Sequence, residues 1–193
     1  MIITSIRKAY NKYIYRPYIK NKVESCGVNF RLGYASELRN AKSFSFGNHF
    51  FSGPYGYFVT NKYVPVKIGN NVMFGPFCKI FGGNHDIQYL DGHINAAPEK
   101  AVKGIEITIE DGVWIGANTT LLNNAYISEG AVVSSGAIVN GYIPPYCVGY
   151  GMPAKRFKKR FESNEELQIL LTNVKSKYSL EEILEIYEKY GVG

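Results

Sequence analysis

His85 stands in the run Gly-Gly-Asn-His-Asp at positions 82–86, and it is the residue of this run best suited to chemistry. A histidine side chain ordinarily titrates near neutral pH, so it can accept a proton from a hydroxyl group. The two glycines let the backbone bend sharply, and Asn84 or Asp86 could orient the imidazole through its other ring nitrogen. The run therefore predicts a proton-accepting site at His85. The alternative is a histidine that only supports a turn.

A six-residue repeat supplies the scaffold that would position His85. This period is typical of a parallel β-helix, in which each hexapeptide contributes one short strand and one corner. The aliphatic first residue of each repeat is expected to point into the prism, and the smaller fifth residue to fill the wall beside it. The first positions are Ile109, Ile115, Leu121, Ile127, Val133 and Val139, and the fifth are Val113, Thr119, Ala125, Ala131, Ala137 and Ile143.

The repeat is also clear from Ile68 to Gly82, stops there, and resumes out of phase near Ile105. Residues 83–104 are therefore expected to leave the prism as a loop, and loops of this length are usually functional or disordered. Residues 27–63 are expected to form one or two irregular coils rich in aromatic side chains. The sequence thus predicts a mainly β fold, with a β-helix domain of about five coils over residues 27–154.

Helical segments are predicted at both ends of the chain. Residues 155–193 are interpreted as a basic tail and two helices, whose capping boxes begin at Ser163 and Ser179. Residues 1–26 are interpreted as a basic amphipathic helical segment that ends near Pro17. Such a helix can lie on a membrane surface, but packing on its own domain or on a neighbouring subunit is the favoured interpretation. Its apolar positions are Ile3, Ile6, Tyr10, Tyr13 and Ile14.

Composition narrows the possible functions. The formal net charge of +6 suits an anionic ligand or surface, but no nucleic-acid recognition motif accompanies it. Three cysteines without metal-ligand spacing predict free thiols in a reducing compartment, with Cys78 as a small buried residue. The sequence has neither a long apolar run nor a signal-peptide pattern, so a cytoplasmic location is expected. A Walker loop is also absent from the sequence, which disfavours an enzyme that uses nucleoside triphosphates.

Three stretches carry motifs beyond the repeat itself: VKIGNNVMFGPFCKIFGGNHDI, IEDGVWIGANTTLL and IPPYCVGYGMPAKRFKKRF. Together they resemble the hexapeptide-repeat acyltransferases, and most closely the sugar and polysaccharide O-acetyltransferases such as the maltose and galactoside acetyltransferases. The resemblance covers roughly Val64 to Phe161. It implies a left-handed coil, acetyl-CoA as co-substrate without a metal, and a homotrimer with active sites between neighbouring prisms. The acceptor would be a saccharide hydroxyl, for example in a cell-surface or capsular polysaccharide precursor.

The resemblance also assigns roles to individual residues. His85 would be the general base that lets the acceptor hydroxyl attack the thioester directly, without an acyl-enzyme. Trp114 would lie beside the reacting end of acetyl-CoA, although subunit packing is its alternative role. The backbone N–H of Ala117 is a candidate oxyanion donor. The other implied contacts are Ser135 and Asn140 for the cofactor, Lys155 and Arg156 for its phosphates, and His93 and Tyr89 for the acceptor.

Three rival interpretations remain. A xenobiotic acetyltransferase would act on an antibiotic hydroxyl, but its family usually extends the Asn-His motif into an aromatic-Pro-Phe stretch that residues 85–100 lack. A non-enzymatic β-helix binding module is disfavoured by His85, Trp114 and the basic tail together. A zinc site built from the three histidines would need them on adjacent regular coils. No histidine follows His93, and His49 is expected to pack within an early coil.

Overall fold

A computed structural model describes residues 2–98 and 105–193. Its body is a prism of short strands. In chain order they are β1 (Ser25–Cys26), β2 (Glu37–Arg39), β3 (Phe44–Phe46), β4 (Phe51–Ser52), β5 (Tyr57–Val59), β6 (Val66–Ile68), β7 (Met73–Phe74), β8 (Lys79–Phe81), β9 (Ile107–Ile109), β10 (Trp114–Ile115), β11 (Thr120–Leu122), β12 (Tyr126–Ile127), β13 (Val132–Val133), β14 (Ile138–Val139), β15 (Tyr142–Ile143), β16 (Cys147–Gly151) and β17 (Ala154–Lys159).

The strands form three faces. Successive strands of a coil join the first, second and third face in turn, and strands of successive coils pair with each other. The first face consists of β1, β3, β6, β9, β12 and β15, and the third of β2, β5, β8, β11 and β14. The second face consists of β4, β7, β10, β13, β16 and β17. All pairs are parallel except β16 with β17. The described strands make five coils and part of a sixth; in the first coil an isolated bridge from Arg31 to Phe51 takes the place of a second-face strand.

The predicted core is confirmed. Every first and fifth residue of the six repeats from Ile109 onwards is at most 3% exposed. Asparagines at several corners adopt the left-handed backbone conformation, for example Asn118 at a φ of 57° and Asn124 at 66°, a region that asparagine tolerates better than most residues. Phenylalanines fill the earlier coils in place of aliphatic residues, and the rings of Phe46 and Phe50 lie 4.7 Å apart. The aromatic coils predicted for residues 27–63 are therefore present.

The N-terminal helix continues past Pro17, so the predicted end at this residue is wrong. Helix α1 (Ile2–Tyr10) leads through a π-helical turn (Asn11–Tyr15) into α2 (Arg16–Lys20). A proline ring inside a regular helix clashes with the carbonyl four residues earlier. The wider π turn precedes Pro17 and places it in the first turn of α2, where a backbone N–H is not needed.

The apolar stripe of this helix does not pack on its own domain, which was one half of the favoured interpretation; packing on a neighbouring subunit stays a prediction. Its five residues, from Ile3 to Ile14, are between 54% and 68% exposed. The helix is attached by other side chains: Asn11 Nδ2 and Arg16 Nη2 both donate to the Leu32 carbonyl, at 2.8 and 3.2 Å, and Ile19 is buried. Among the described residues, no helix is both long and apolar enough to cross a bilayer.

Two helices follow the prism, α3 (Asn164–Val174) and α4 (Leu180–Tyr190). Both predicted capping boxes are confirmed, because the side chains of Ser163 and Ser179 accept bonds from the backbone three residues later. The helices cover the last coil: Ile183 is fully buried, and the Tyr187 hydroxyl donates to the Tyr146 carbonyl at 2.6 Å. The residues predicted as a basic tail instead begin with strand β17, which covers the outer edge of β16.

A charged cluster ties the segment between α3 and α4 to the prism. Lys177 Nζ lies 2.5 Å from Glu110 Oε1, and the Glu129 backbone N–H donates to the other Glu110 oxygen at 2.9 Å. The Tyr146 hydroxyl donates to Glu129 Oε1 at 2.6 Å. Burial disfavours the charged form of Lys177, but its hydrogen bond to Glu110 outweighs this and holds the lysine pKa above its ordinary value. Because Glu110 is only 10% exposed, this cluster joins the C-terminal helices firmly to the coils.

Candidate functional site

The loop that carries His85 leaves the prism at the end of strand β8, on the third face. A Cβ at Gly82 would collide with the Thr60 side chain, so only glycine fits against the coil below. Gly83 has a φ of 87°, and its N–H donates to Asn123 Oδ1 at 2.8 Å. These constraints fix where the loop departs, two residues before His85. Sequence reasoning missed Asn123, since an asparagine in a corner gives no signal of its contact 40 residues away.

The predicted catalytic residues lie together at the start of this loop. The side chains of His85 and Asn84 are exposed, and Asp86 is half-buried. Asp86 Oδ1 accepts a hydrogen bond from the Gln88 N–H at 3.1 Å, so this carboxylate supports the turn. The roles of Asn84 and Asp86 in orienting the imidazole stay predictions.

The two residues predicted to bind the acceptor lie further along the same loop. Tyr89 is half-buried, and its N–H lies 3.3 Å from the Asp86 carbonyl oxygen. His93 is exposed and begins a short 3-10 turn at Ile94–Ala96. Residues 99–104, which also belong to the predicted loop, lie outside the described residues. The described part of the loop thus places both residues on the same excursion as His85.

Trp114 lies on the second face, in an outward row that crosses the strands. Strand pairing aligns it with Met73 on one side and with Val132 on the other. The same row continues through Val148 to Lys158 on strand β17. The indole is 50% exposed, so Trp114 faces outward from the prism. Val132 and Val148 therefore lie between the Trp114 indole and the Lys158 side chain along this row.

This row lines a groove of about 530 Å³. Its apolar floor and cationic end suit a long ligand with an anionic group at one end. Arg160 Nη1 is held at that end by donating to the Gly130 carbonyl at 2.8 Å. The principal lining residues are Met73, Trp114, Ser135, Val148, Lys158 and Arg160.

The two basic residues predicted to bind phosphate lie on strand β17 but do not line the groove. Arg156 pairs with Tyr150 and, by strand alternation, shares the face of Lys158, whereas Lys155 stands without a partner at a β-bulge where the register shifts. The structure therefore does not bring Lys155 together with Trp114. Lys158 and Arg160 line the groove in its place, and the sequence analysis did not single them out. The alternation of side chains along a strand could have pointed to Lys158, but five of the six residues from 155 to 160 are basic, so no alternation is visible in the sequence.

The remaining predicted cofactor contacts lie at corners of the prism. Ala117 occupies the corner between the second and third faces, and its carbonyl accepts from the Gly136 N–H at 2.8 Å. Ser135 lies at the same corner one coil further on and lines the groove. Asn140 is exposed at the next corner, between β14 and β15. Ala117 and Ser135 are thus brought together, and Asn140 lies apart from them.

His85 and the groove lie at different parts of one prism. The loop of His85 departs after the third-face strand β8, whereas Trp114 begins the second-face strand β10. The structure of one chain therefore does not bring His85 and Trp114 together at a shared corner.

No metal site accompanies these residues, since the described part of the chain contains no group of three or more His, Cys, Asp or Glu side chains able to hold an ion. His49 does not pack in its coil as expected. It is exposed at a corner, with Nδ1 3.1 Å from Asn29 Nδ2.

Comparison with known proteins identifies the class. No family model matches the chain. A Lysinibacillus sphaericus protein named "probable macrolide acetyltransferase" is 31% identical over 140 residues, which is 63% of this chain and 77% of the relative. The Escherichia coli K12 protein named "putative lipopolysaccharide biosynthesis O-acetyl transferase WbbJ" is 30% identical over 63% of this chain and 74% of its own length. The chain spans only 43% of a Schizosaccharomyces pombe protein to which it is 36% identical over 94 residues.

Solved structures show the same fold. A hexapeptide-repeat acetyltransferase of Vibrio cholerae, solved with acetyl coenzyme A, has a TM-score of 0.66 at 24% identity, with 80% of each chain covered. A maltose O-acetyltransferase of Clostridium difficile has the same TM-score at 22% identity, over 83% of this chain and 89% of that chain. The fold is therefore a left-handed parallel β-helix with helices at both ends. The chain belongs to the hexapeptide-repeat acetyltransferases.

Proposed function

We propose that this chain is an acetyl-CoA-dependent O-acetyltransferase that acts on a saccharide hydroxyl. The groove on the second face is the observation that carries the proposal. Lys158 and Arg160 stand at one end of it and Trp114 near the other. Cations suit the phosphates of CoA, an apolar floor suits its pantetheine arm, and the indole can exclude water from the thioester.

The proposed reaction begins with proton transfer to His85. The imidazole takes the proton of the acceptor hydroxyl as the oxygen attacks the thioester carbonyl carbon. The new C–O bond forms, the C–S bond breaks, and the histidine returns its proton to the departing thiolate of CoA. The buried cysteines are poor nucleophiles for a competing acyl-enzyme route. Burial raises the pKa of Cys78 to about 11 and that of Cys147 to about 12, so both thiols stay protonated at neutral pH.

We further propose a homotrimer in which His85 of one chain faces the groove of the next. The separation of His85 from Trp114 within one chain supports this arrangement. The faces also expose apolar side chains that usually mark interfaces: Phe51 is 38% exposed, Met73 48% and Phe77 51%. A neighbouring prism would cover this surface and complete the site.

A second candidate function is acetyl transfer to an antibiotic hydroxyl. It is supported by the relative from Lysinibacillus sphaericus, whose name specifies a macrolide acetyltransferase. The lipopolysaccharide name of the Escherichia coli relative supports a saccharide acceptor. The two candidates differ only in the acceptor, so both require the same groove and the same base.

An acceptor screen tests the proposal. The purified chain is incubated with acetyl-CoA and a panel of cell-surface saccharides, their nucleotide-linked precursors and macrolides, and release of free CoA thiol is followed. Acceptor-dependent release with a saccharide, and an acetyl ester in the product, is the expected result. Release only with macrolides would favour the second candidate. If no acceptor stimulates release, and acetyl-CoA also fails to protect the folded chain against unfolding, the chain is not an acetyltransferase.

A further inference from the structure

The N-terminal helical segment, residues 2–23, concentrates the charge of the whole chain. It holds six of the 22 basic residues and no acidic residue, so the other 16 basic residues balance the 16 acidic ones. The formal net charge of +6 therefore belongs to this segment alone. Among the described residues, no carboxylate forms an ion pair with it. The six basic residues are Arg7, Lys8, Lys12, Arg16, Lys20 and Lys22.

The same segment presents an apolar stripe directed away from its own prism. Ile3, Ile6 and Ile14 are 68%, 62% and 59% exposed, and the tyrosines between them are exposed to a similar extent. The positions i, i+3, i+7, i+10 and i+11 form one side of a helix. The side that attaches to the first coil is a different one, where Asn11 and Ile19 are buried. The stripe is therefore uncovered because of how the helix is anchored.

Tyrosine and lysine lie next to each other along this surface. Lys12 Nζ lies 4.8 Å from the centre of the Tyr13 ring, and Lys22 Nζ lies 5.6 Å from that of Tyr18. Tyrosine is enriched at the level of lipid head groups, where its ring has apolar and polar surroundings at once. Helices that lie in a membrane interface combine an apolar stripe of this kind with lysine and arginine beside it.

A second copy of the chain fits this surface less well than an anionic one. Copies of a segment with six cations and no carboxylate repel each other. Two carboxylates, Glu24 and Glu37, lie near the segment in the first coil, and Glu37 already pairs with Arg39. Six further acidic residues lie on α3 and α4. Those helices pack on the last coil, whereas the segment is anchored to Leu32 in the first. Five coil spacings, roughly 24 Å, separate the two ends, so copies arranged side by side cannot bring them together.

We propose that the helical segment from Ile2 to Lys20 lies on an anionic lipid bilayer, with the stripe inserted at the head-group boundary and its cations on lipid phosphates. Each basic residue near such a surface contributes about fivefold to binding. The contribution is screened by salt over roughly 10 Å at ordinary ionic strength. Membrane binding would not require catalysis, because the stripe lies on the side of the helix that faces away from the prism.

Vesicle co-sedimentation of the full chain tests the proposal. The chain is expected to bind vesicles of phosphatidylcholine mixed with phosphatidylglycerol, to bind pure phosphatidylcholine far less, and to lose binding as salt rises. The triple variant Arg7→Gln, Lys8→Gln, Lys12→Gln is expected to lower the affinity roughly 100-fold, since three cations are removed. A matched triple variant, Lys159→Gln, Lys175→Gln, Lys189→Gln, has the same net charge and should change the affinity less than about threefold.

A second pair of variants tests the stripe. Ile6→Gln should weaken vesicle binding, whereas Ile169→Gln, at an equally exposed position (62%) on α3, should not. Both sites are on the surface, so both variants should keep the unfolding midpoint of the parent chain. Equal binding to both kinds of vesicle, or equal loss in the two triple variants, would overturn the proposal. If Ile6→Gln leaves vesicle binding unchanged but lowers the mass in sedimentation, the occupant is a second copy and the proposal is wrong.

Discussion

Replacing Lys158 by Gln tests whether the second-face groove holds CoA. The change removes the cation in register with Trp114 and leaves a neutral, polar and slightly shorter side chain. A hydrogen bond to a charged group is worth about 1.5–3 kcal/mol when well shielded. Lys158 is exposed, and water weakens such contacts, so we expect about 1–1.5 kcal/mol, which is roughly a 5- to 12-fold rise in KM for acetyl-CoA. The kcat should change little, since the phosphates bind far from the reacting atoms.

The next residue along the strand provides the control. Lys159→Gln removes the same charge on the opposite face of β17, where it lies beside Tyr187 of α4, and should leave KM within about twofold. Steady-state release of CoA thiol at fixed acceptor measures both constants. The double variant Lys155→Gln, Arg156→Gln tests the sequence-based assignment of these two residues to the phosphates of CoA. A dephospho-CoA donor shows whether the 3′-phosphate is the group contacted. Equal effects of Lys158→Gln and Lys159→Gln, or an unchanged KM in Lys158→Gln, would refute the assignment of the groove.

Three further predictions address the base, the assembly and the fold. His85→Ala should lower kcat by on the order of 10²–10⁴ with His49→Ala as the unaffected control, and activity within a few-fold of the parent would exclude His85 as base. Co-expression of His85→Ala with Ala117→Trp should restore partial activity from two inactive parents, whereas mixed trimers without activity would place the site within one chain. Glu110→Gln should lower the free energy of unfolding in urea by about 1–2 kcal/mol, against less than about 0.5 kcal/mol for Glu106→Gln in an exposed ion pair. Equal losses in these two variants would show that the buried cluster contributes no more to the free energy of unfolding than the exposed ion pair.

The sequence predicts the prism well because its determinants are local. The aliphatic residues from Ile109 to Val139 recur at every sixth position, and each is buried at its predicted place. The helix starts at Ser163 and Ser179 depend on residues only three positions apart, and both are present. Short-range patterns of this kind are readable without knowledge of what lies opposite them in space.

The features that the sequence did not predict depend on contacts between distant residues. Strand β17 pairs with the edge of β16. Its run of basic residues shows no alternation of apolar and polar side chains that would predict a strand. Pro17 was expected to end a helix, but the π turn before it lies where the Asn11 and Arg16 side chains both bond to the distant Leu32 carbonyl. The register that places Lys158 in the same row as Trp114 followed only once this strand was known. The roles of the site residues stay predictions for the same reason, since they would depend on bound ligands and on the proposed partner chain.

Strand β17 closes the edge of the last coil and also forms one wall of the groove. A ligand that contacts Lys158 and Arg160 therefore binds only while this strand is paired, so groove occupancy and closure of the prism end are thermodynamically linked. At a concentration 100 times its Kd, such a ligand would favour the closed end by about 2.7 kcal/mol. The amide protons of β17 would then exchange more slowly with solvent as the concentration of the groove ligand rises. The C-terminal end of the prism would thus be most stable when the groove is occupied.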